Sequence, residues 1–318
     1  MIDTIKGYIE LNQYKSNDFK HLLVDSVKTI RKNGYTKTIN LSNLKITFSF
    51  DKKNKPIKLF FCGSLPKFYQ ENNLTQMSWN ETKNAIQMLS DNIGVDISKA
   101  ILTRVDFGVN IQMNHPVHEY ISCLLSFPRL GTMRFKETVK FLTSNNSKSY
   151  LFYDKIKEVN KNSRKTSNNI HKDLLDKNIL RYEVQLNGFL KNRFRLKRVR
   201  VKDLFRNSVQ VKIINYWFNG YHKIEKISLG IDPDFLLNKR DGLKKYLSYH
   251  GIEKVGRDRL EYKISSLNFN VENNSVKKSK IRASIRKIIN EVKENCVDKN
   301  LITELDEKIL EIKLSSNK

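Results

Sequence analysis

The sequence predicts an α+β fold: a mixed, mainly antiparallel β-sheet with helices on one face, followed by a smaller helical region at the C-terminal end. Three observations lead to this prediction. Short runs rich in β-branched and aromatic residues recur from the N-terminus to residues 179–187. Segments with helical spacing are inserted between these runs, and beyond about residue 235 the apolar spacing is helical throughout.

The first hundred residues supply three strand signals and one helix signal. We expect strands at about residues 2–11, 37–50 and 57–62, with a turn-rich DKKNKP segment before the last. Ser78 or Asn80 can cap a helix that runs to about Asn92, because apolar side chains at positions 85, 86, 89 and 93 share one side of it.

The middle of the chain continues the alternation. A strand over ILTRVDFGVNI is followed by a helix from Pro116 to Leu125, and strands are then expected near residues 130–142 and 148–157. Residues 159–178 are polar and rich in lysine and asparagine, which predicts an exposed connection with room for a short helix. The strand ILRYEVQLN comes next.

Three amphipathic segments form the C-terminal region. One is NKRDGLKKYLSYHGI, the second carries isoleucines from Ile281 to Ile289 on one face, and the third carries Leu301, Leu305 and Ile309. We therefore divide the chain into a main domain over residues 1–235 and a helical region over residues 236–318. The helical region either packs on the main domain or serves in further contacts.

The charge indicates a polyanionic partner. The chain has 59 Lys and Arg against 33 Asp and Glu, a formal net charge of +26. Nucleic acid is the first candidate, although a basic ribosome-associated or membrane-surface protein can show the same excess. No segment approaches the roughly 20 apolar residues of a membrane helix. Three separated cysteines without a C-x-x-C motif favour a reducing cytoplasm and disfavour a structural zinc site.

A dense basic segment follows the ILRYEVQLN strand. No acidic residue occurs between Glu183 and Asp203, while basic residues alternate with apolar ones. A solvated basic face is the ordinary interpretation of such a run. Contacts to a phosphate backbone are the alternative, and the candidates for them are Arg193, Arg195, Lys197, Arg198 and Arg200.

Three strand-like segments each carry a polar doublet, with its two members two residues apart. The doublets are Arg104 with Asp106, Tyr153 with Lys155, and Arg181 with Glu183. Residues i and i+2 of a strand share a face, so each doublet points in one direction. Each can be an ordinary cross-strand ion pair or packing tyrosine. If the three strands are neighbours, however, a tyrosine hydroxyl lies beside two carboxylates, two arginines and a lysine.

Such a set can cleave a phosphodiester bond. Carboxylates bind a divalent metal ion, basic groups bind the phosphate, and tyrosine acts as the nucleophile. Carboxylate ligands suit Mg²⁺ or Mn²⁺, whereas zinc would call for more His or Cys. Tyr150 lies three residues before Tyr153, so it faces the other side of the strand and is expected in the core.

The order of these motifs resembles a known family. MID at the start, an R-[IV]-D strand, a tyrosine followed by x-Lys and then a glutamate, and an R-[FY]-E strand resemble the replication initiators of filamentous phages. Rolling-circle plasmid Rep proteins have a related arrangement. The resemblance covers roughly residues 1–190 and fades in the C-terminal third.

The resemblance implies specific roles for these residues. The nucleophile falls on Tyr153, with Lys155 as the accompanying catalytic lysine. Asp106, Glu183 and, more weakly, Glu158 are the metal ligands, while Arg104 and Arg181 contact DNA. The chain departs from the phage pattern at Asp154, directly after the tyrosine.

The implied function is initiation of rolling-circle replication. Tyr153 attacks a phosphate at the origin, which leaves a 5′-phosphotyrosyl link and a 3′-OH primer, and the displaced strand is later rejoined. The origin has to be single-stranded or supercoiled, and the absence of a Walker motif from the sequence indicates a host helicase beside the host polymerase. A homodimer is possible, and no membrane partner is expected. The rival hypotheses are a non-catalytic DNA-binding initiator or repressor and an RNA-binding protein, while the C-terminal helices can add DNA contact or self-association.

Overall fold

The computed structural model describes residues 2–163, 177–227, 240–267, 274–294 and 300–315. The chain divides into two compact units. The first comprises residues 1–227 together with residues 302–318, and the second comprises residues 228–301. The predicted boundary at residue 235 falls outside the described residues. The last helix belongs to the first unit, although the sequence had grouped it with the C-terminal region.

The N-terminal part of the first unit contributes five strands and two helices. They are β1 (Ile2–Glu10), β2 (Val27–Arg31), β3 (Gly34–Leu41), β4 (Leu44–Phe50), β5 (Pro56–Ser64), α1 (Leu65–Gln70) and α2 (Trp79–Ile93). The expected helix near residue 79 is confirmed. Ser78 caps it, because its hydroxyl accepts a hydrogen bond from the backbone N–H of Glu81 while the Glu81 carboxylate accepts one from the backbone N–H of Ser78.

The rest of the chain alternates strands and helices before becoming helical. The elements are β6 (Ile101–Met113), α3 (Val117–Cys123), β7 (Leu124–Ser126), β8 (Gly131–Phe135), β9 (Thr138–Leu142), β10 (Lys148–Asp154), α4 (Lys155–Ser163), β11 (Asn178–Asn187), α5 (Leu190–Phe194), α6 (Asn207–His222) and β12 (Glu225–Lys226). The helices that follow are α7 (Gly242–Val255), α8 (Arg257–Ser266), α9 (Asn274–Glu294) and α10 (Leu301–Ser315).

Ten strands form one antiparallel sheet in the order β2-β3-β4-β5-β1-β6-β11-β10-β9-β8. The α+β prediction, with its mainly antiparallel sheet and C-terminal helices, is confirmed. Strands β1, β6, β11 and β10 are neighbours at the centre although they are far apart in sequence. All three predicted doublets therefore start on adjacent strands.

One face of this sheet is an apolar core. Alternate residues of β6 and β11 point into it, including Phe107, Tyr182 and Val184, each of them fully buried. Helix α6 covers this face: the rings of Tyr182 and Trp217 lie 4.9 Å apart, and the Tyr182 hydroxyl donates to the backbone carbonyl of Trp217 at 2.9 Å. Tyr150 is 3% exposed and stacks on Phe127, as expected for a core residue.

Several strand boundaries differ from the expectation. Residues 37–50 form a hairpin rather than one strand, because Ser42 takes a left-handed conformation (φ 52°) that reverses the chain between β3 and β4. The expected strand over residues 130–142 is likewise split into β8 and β9. Strand β2 was missed because all five of its residues are exposed, so it has no apolar alternation. Residues 159–163 belong to α4, and residues 164–176 lie outside the described residues.

Helix α10 packs on the apolar side of the first unit. The Glu304 carboxylate accepts hydrogen bonds from the Tyr120 hydroxyl and, at 2.9 Å, from the backbone N–H of Asn114. Tyr221 donates to Asp306 at 2.5 Å. Leu305 and Ile309 are buried. This last helix thus helps to hold the core behind the central strands.

No helix in the described ranges has both the length and the apolar character that crossing a membrane requires.

Candidate active site

The face opposite the apolar core carries polar side chains at the centre of the sheet. Alternation along β6 and β11 puts Asp106 and Glu183 on this polar face. Tyr153 of β10 stands directly opposite Arg181 of β11, so it shares the same face. The two carboxylates and the tyrosine therefore lie on one face of three adjacent strands, with Tyr153 in the row of Arg181 and Asn110.

Asp106 forms a two-pronged ion pair with Arg104. The Nε of Arg104 donates to both carboxylate oxygens, at 2.8 and 3.0 Å, and its Nη2 donates to Oδ2. Asp106 is 1% exposed. Burial raises the pKa of its carboxyl to about 7, against the opposing effect of Arg104 and with a further rise from Glu183. Burial thus outweighs the ion pair with Arg104 in setting the pKa of Asp106.

Arg181 is the centre of a buried ion network. Its guanidinium donates to the carboxylates of Asp3 and Glu183, the latter at 3.3 Å, and to the amide oxygen of Asn110 at 3.0 Å. Burial opposes its charge, but Asp3 and Glu183 more than offset this and raise its pKa. The Nε2 of Gln185 also donates to Glu183, at 2.9 Å. Arg181 therefore orients two acids at once, which leaves it less free for direct DNA contact than the sequence suggested.

Asp3 is a site residue that the sequence analysis did not select. It is 5% exposed, and it accepts hydrogen bonds from Arg181 and, at 2.5 Å, from the Ser64 hydroxyl that caps α1. Burial acts to raise the pKa of Asp3, but Arg181 and Ser64 outweigh it, so the pKa is lowered. The available signal was the MID motif, in which one acid interrupts an apolar strand.

Local irregularities bring Asp3 and Arg181 together across β6. The register between β1 and β6 shifts between Ile2 and Ile5, and Asp3 lies in this irregular stretch. Gly108 of β6, opposite Glu183, leaves space above the strand. A Cβ at position 108 would lie 3.1 Å from the Glu183 Cβ. A side chain at position 108 would therefore crowd the backbone of β11 and Glu183.

Tyr153 is half-buried beside this network. Burial raises the pKa of its hydroxyl, Arg181 opposes the rise, and Glu183, Glu158 and Asp3 add to it. The protein groups alone therefore favour the neutral phenol. Among the described residues its hydroxyl has no hydrogen-bond partner. The Tyr153 hydroxyl thus lies near three acids but is not held by a hydrogen bond in the described part of the chain, so it is available to react with a substrate.

Lys155 and Glu158 form a pair next to Tyr153. Helix α4 starts at Lys155, and the Lys155 amine donates to Glu158 at 2.6 Å and to the Asn73 amide oxygen at 2.7 Å. The amine lies 5.9 Å from the centre of the Tyr153 ring. Burial lowers the pKa of Lys155, despite Glu158. Lys155 is fully buried, so it fixes the start of α4 against the segment around Asn73.

Asp154, where the chain departs from the phage pattern, has a structural role. Its Oδ1 accepts a hydrogen bond from the backbone N–H of Lys157 at 3.0 Å. A short acidic side chain in this position satisfies a free N–H in the first turn of a helix. The departure therefore stabilises the start of α4 directly behind the candidate nucleophile.

The basic segment after β11 divides into two parts. Arg193 is half-buried and donates to the Tyr216 hydroxyl at 2.9 Å and to Ser147, so it has a structural role within the unit. Four other members of the segment are exposed: Arg195, Lys197, Arg198 and Arg200. Residues 199–201 pair with residues 100–102 at the start of β6. The exposed cations remain candidates for DNA contact.

Acidic side chains outnumber the arginines that pair with them at the site. Asp3, Asp106 and Glu183 are three acids, and only two guanidiniums, those of Arg104 and Arg181, are paired with them. No group of three or more His, Cys, Asp or Glu side chains in the described ranges is arranged to hold a metal ion. Mg²⁺, however, is commonly bound by one or two carboxylates together with water and substrate phosphate. The carboxylates in the described part of the chain are thus not a complete cation site by themselves, and water and substrate would have to supply further ligands.

Comparison with known families identifies the chain. The family model for the N-terminal part of a replication-associated phage protein, the gene II protein, matches residues 1–218. The chain belongs to this family. It is therefore a replication initiator of the phage gene II type. The match covers every element of the polar face described above.

A search of curated proteins gave no match to the chain. The family match ends at residue 218, so the second unit of the initiator lies beyond it.

Proposed function

We propose that this initiator nicks one DNA strand at a replication origin by tyrosine transesterification. The observation that supports the proposal is that Tyr153, Asp106 and Glu183 lie on one face of adjacent strands, with Asp3 and two arginines on the same face. A DNA-binding protein without catalysis has no need for three acids on the face that meets DNA, because acids repel phosphate. Their presence favours chemistry over binding alone.

The reaction exchanges one phosphodiester for another. The Tyr153 oxygen forms a bond to phosphorus, and the bond from phosphorus to the 3′ oxygen breaks. The 3′ oxygen takes up a proton and becomes the 3′-OH, while the 5′ side stays linked to Tyr153. In the return reaction a 3′-OH attacks the phosphotyrosyl bond, which rejoins the strand and releases Tyr153.

The tyrosine proton needs an acceptor. Glu183 and Glu158 both lie close enough to the hydroxyl to raise its pKa, so either can receive the proton as the bond to phosphorus forms. Arg181, next to Glu183, holds that carboxylate in position and balances its charge. Lys155 and Asn73 keep Glu158 in position.

Asp106 and Glu183 are the proposed ligands of Mg²⁺ or Mn²⁺. A bound divalent ion supplies positive charge that stabilises the developing phosphorane oxygens and favours phenolate. Glu158 is the weaker ligand candidate, because Lys155 already pairs with it. Arg104 and Gln185 orient the two ligands within the protein.

The proposed function also implies which partners the initiator needs. The new 3′-OH serves as a primer for a host polymerase, and strand separation falls to a host helicase. A tyrosine on a sheet cannot reach into an intact duplex, so supercoiling or an extruded hairpin has to present the strand. We keep a homodimer as part of the proposal, to be tested by the mass of the purified initiator in solution.

The direct test is incubation of the purified initiator with supercoiled DNA that carries its origin. We expect conversion to open circles in Mg²⁺ or Mn²⁺, with a protease-sensitive DNA adduct, and no conversion in EDTA. DNA binding without nicking under every metal condition would contradict the proposal and favour a non-catalytic initiator or repressor.

Metal binding can be measured without activity. We expect Mn²⁺ at ten times its Kd to raise the Tm by about 3–6 °C, because a ligand specific to the folded state stabilises it by about 1.4 kcal/mol at that concentration. Asp106→Asn and Glu183→Gln should each remove this rise. Glu137→Gln, a change in an exposed ion pair with Lys157, is the matched control. An equal rise in Tm in the unchanged protein and in all three variants would show that the ion binds elsewhere.

A further inference from the structure

The polar face extends beyond the active site towards the β2 edge of the sheet. Strand pairing places Lys6 of β1 opposite Arg104 and also opposite Cys62 of β5, which stands opposite Lys45 of β4. In the next row Tyr8 stands opposite Phe60, which stands opposite Thr47. We call this surface, from Lys6 and Tyr8 to Lys45 and Thr47, the open face.

Side chains on the open face are partly or fully exposed to solvent, whereas side chains on the opposite, apolar face of the same strands are buried. Phe60 is 40% exposed, whereas its neighbour Phe61 on the apolar face is 1% exposed. Lys6 and Lys45 are exposed, and Tyr8, Thr47 and Cys62 are half-buried. Nearer the active site, by contrast, the backbone carbonyls of Asn73 and Leu74 accept hydrogen bonds from Asn110 and so cross the polar face. The face is thus covered at one end and open at the other.

The open face combines adjacent aromatic rings with cations. The rings of Tyr8 and Phe60 are 6.1 Å apart, and the Lys58 amine lies 5.2 Å from the centre of the Tyr8 ring. Lys6 and Lys45 have no acidic side chain within ion-pair distance in the described part of the chain. A single exposed apolar residue needs no explanation, but two adjoining rings between unpaired lysines form a specific surface.

We propose that the open face binds single-stranded DNA and leads it to Tyr153. Sheet faces with exposed aromatics bind unpaired nucleic acid because bases stack on the rings while nearby cations meet the phosphates. In a duplex the base faces are already stacked on one another, so the rings have nothing to bind. Tyr8 stands opposite Ile101, five residues before Asp106 on β6, so the aromatic row lies roughly 15 Å from Asp106 along the strand. A strand held there lies on the same face of the sheet as Arg104 and Asp106.

This inference rests on the proposed nicking function, which supplies DNA as the substrate. Binding of DNA is measured separately from its cleavage. The probe is a fluorescent single-stranded oligonucleotide of mixed sequence in EDTA, with binding followed by anisotropy. Removal of one stacking ring costs about 1–3 kcal/mol per base, so we expect Phe60→Ala and Tyr8→Ala each to raise Kd at least about fivefold. Ile30→Ala is the control, since Ile30 is 82% exposed in the same sheet but faces the other side.

The lysines predict a change in salt dependence. Lys6→Gln combined with Lys45→Gln should lower the slope of log K against log salt by about 1.4, because each single-strand phosphate contact contributes about 0.7. Lys52→Gln combined with Lys53→Gln removes the same charge at the turn before β5, outside the open face. An equal fall in slope for both pairs would show general attraction only and overturn the proposal.

Alkylation of Cys62 can report DNA binding to the open face without any mutation. It is half-buried between Lys6 and Lys45, whereas Cys123 is 2% exposed. The oligonucleotide should slow alkylation of Cys62, read by peptide mass spectrometry, and a duplex of the same sequence should protect it far less. Unchanged Kd in both ring variants, or equal protection by the duplex, would overturn the proposal even if nicking holds. Protection of Cys62 without any nicking would support DNA binding by the open face and would overturn the proposed nicking function.

Discussion

Tyr153→Phe is expected to lower the rate of nicking by about 10⁴-fold or more, since removal of a nucleophile leaves only the contribution of binding and charge. The covalent DNA adduct should vanish with it. Stability should change by less than about 0.5 kcal/mol, because the lost hydroxyl makes no hydrogen bond in the described part of the chain. Nicking and adduct are read on gels, and stability by urea unfolding.

The control for this variant lies in the same strand. Tyr150→Phe removes a hydroxyl from the core side of β10, three residues away and stacked on Phe127. It should nick at close to the normal rate, and both variants should bind origin DNA normally. If Tyr153→Phe nicks as well as Tyr150→Phe does, Tyr153 is not the nucleophile.

Arg181→Met is expected to destabilise the fold by about 3–5 kcal/mol, which is the usual cost of removing one partner of a buried ion pair. The reason is the environment of its partners: Asp3 is 5% and Glu183 is 6% exposed, and both would be left without their guanidinium. The free energy of unfolding in urea measures the effect. Part of the loss should be recovered at low pH, because protonation removes the buried negative charge that the missing guanidinium leaves behind.

An exposed ion pair in the same unit provides the control for the loss of stability expected in Arg181→Met. Lys157 pairs with Glu137 at 2.8 Å, but the lysine side chain is 52% exposed. Lys157→Met should therefore cost at most about 1 kcal/mol. A loss for Arg181→Met no larger than this would show that the buried network does not stabilise the central strands.

Much of the site was predictable because strands impose a simple alternation. Asp106 and Glu183 were selected from the period of two along their strands, and Tyr153 from the same rule. The structure puts these three residues on one face of neighbouring strands, which sequence alone could only assume. The alternation also placed Tyr150 in the core.

Other features depend on contacts that no local pattern contains. Asp3 joins the site through an irregular stretch of β1, which does not follow from spacing. Lys155 was taken as part of a strand doublet, yet α4 starts there and buries its amine. The open face was invisible because Phe60 and Phe61 are equally apolar in sequence, and only the sheet decides which one meets solvent.

The most direct measurement is mass spectrometry of the peptide that stays linked to DNA after nicking. The initiator is allowed to react with origin DNA, the complex is digested with a protease, and the residue bearing the nucleotide is located. Our proposal predicts a single 5′-phosphotyrosyl bond on Tyr153. A nucleotide on a different residue, or nicked DNA with no attached peptide under conditions that preserve a phosphotyrosyl ester, would contradict it.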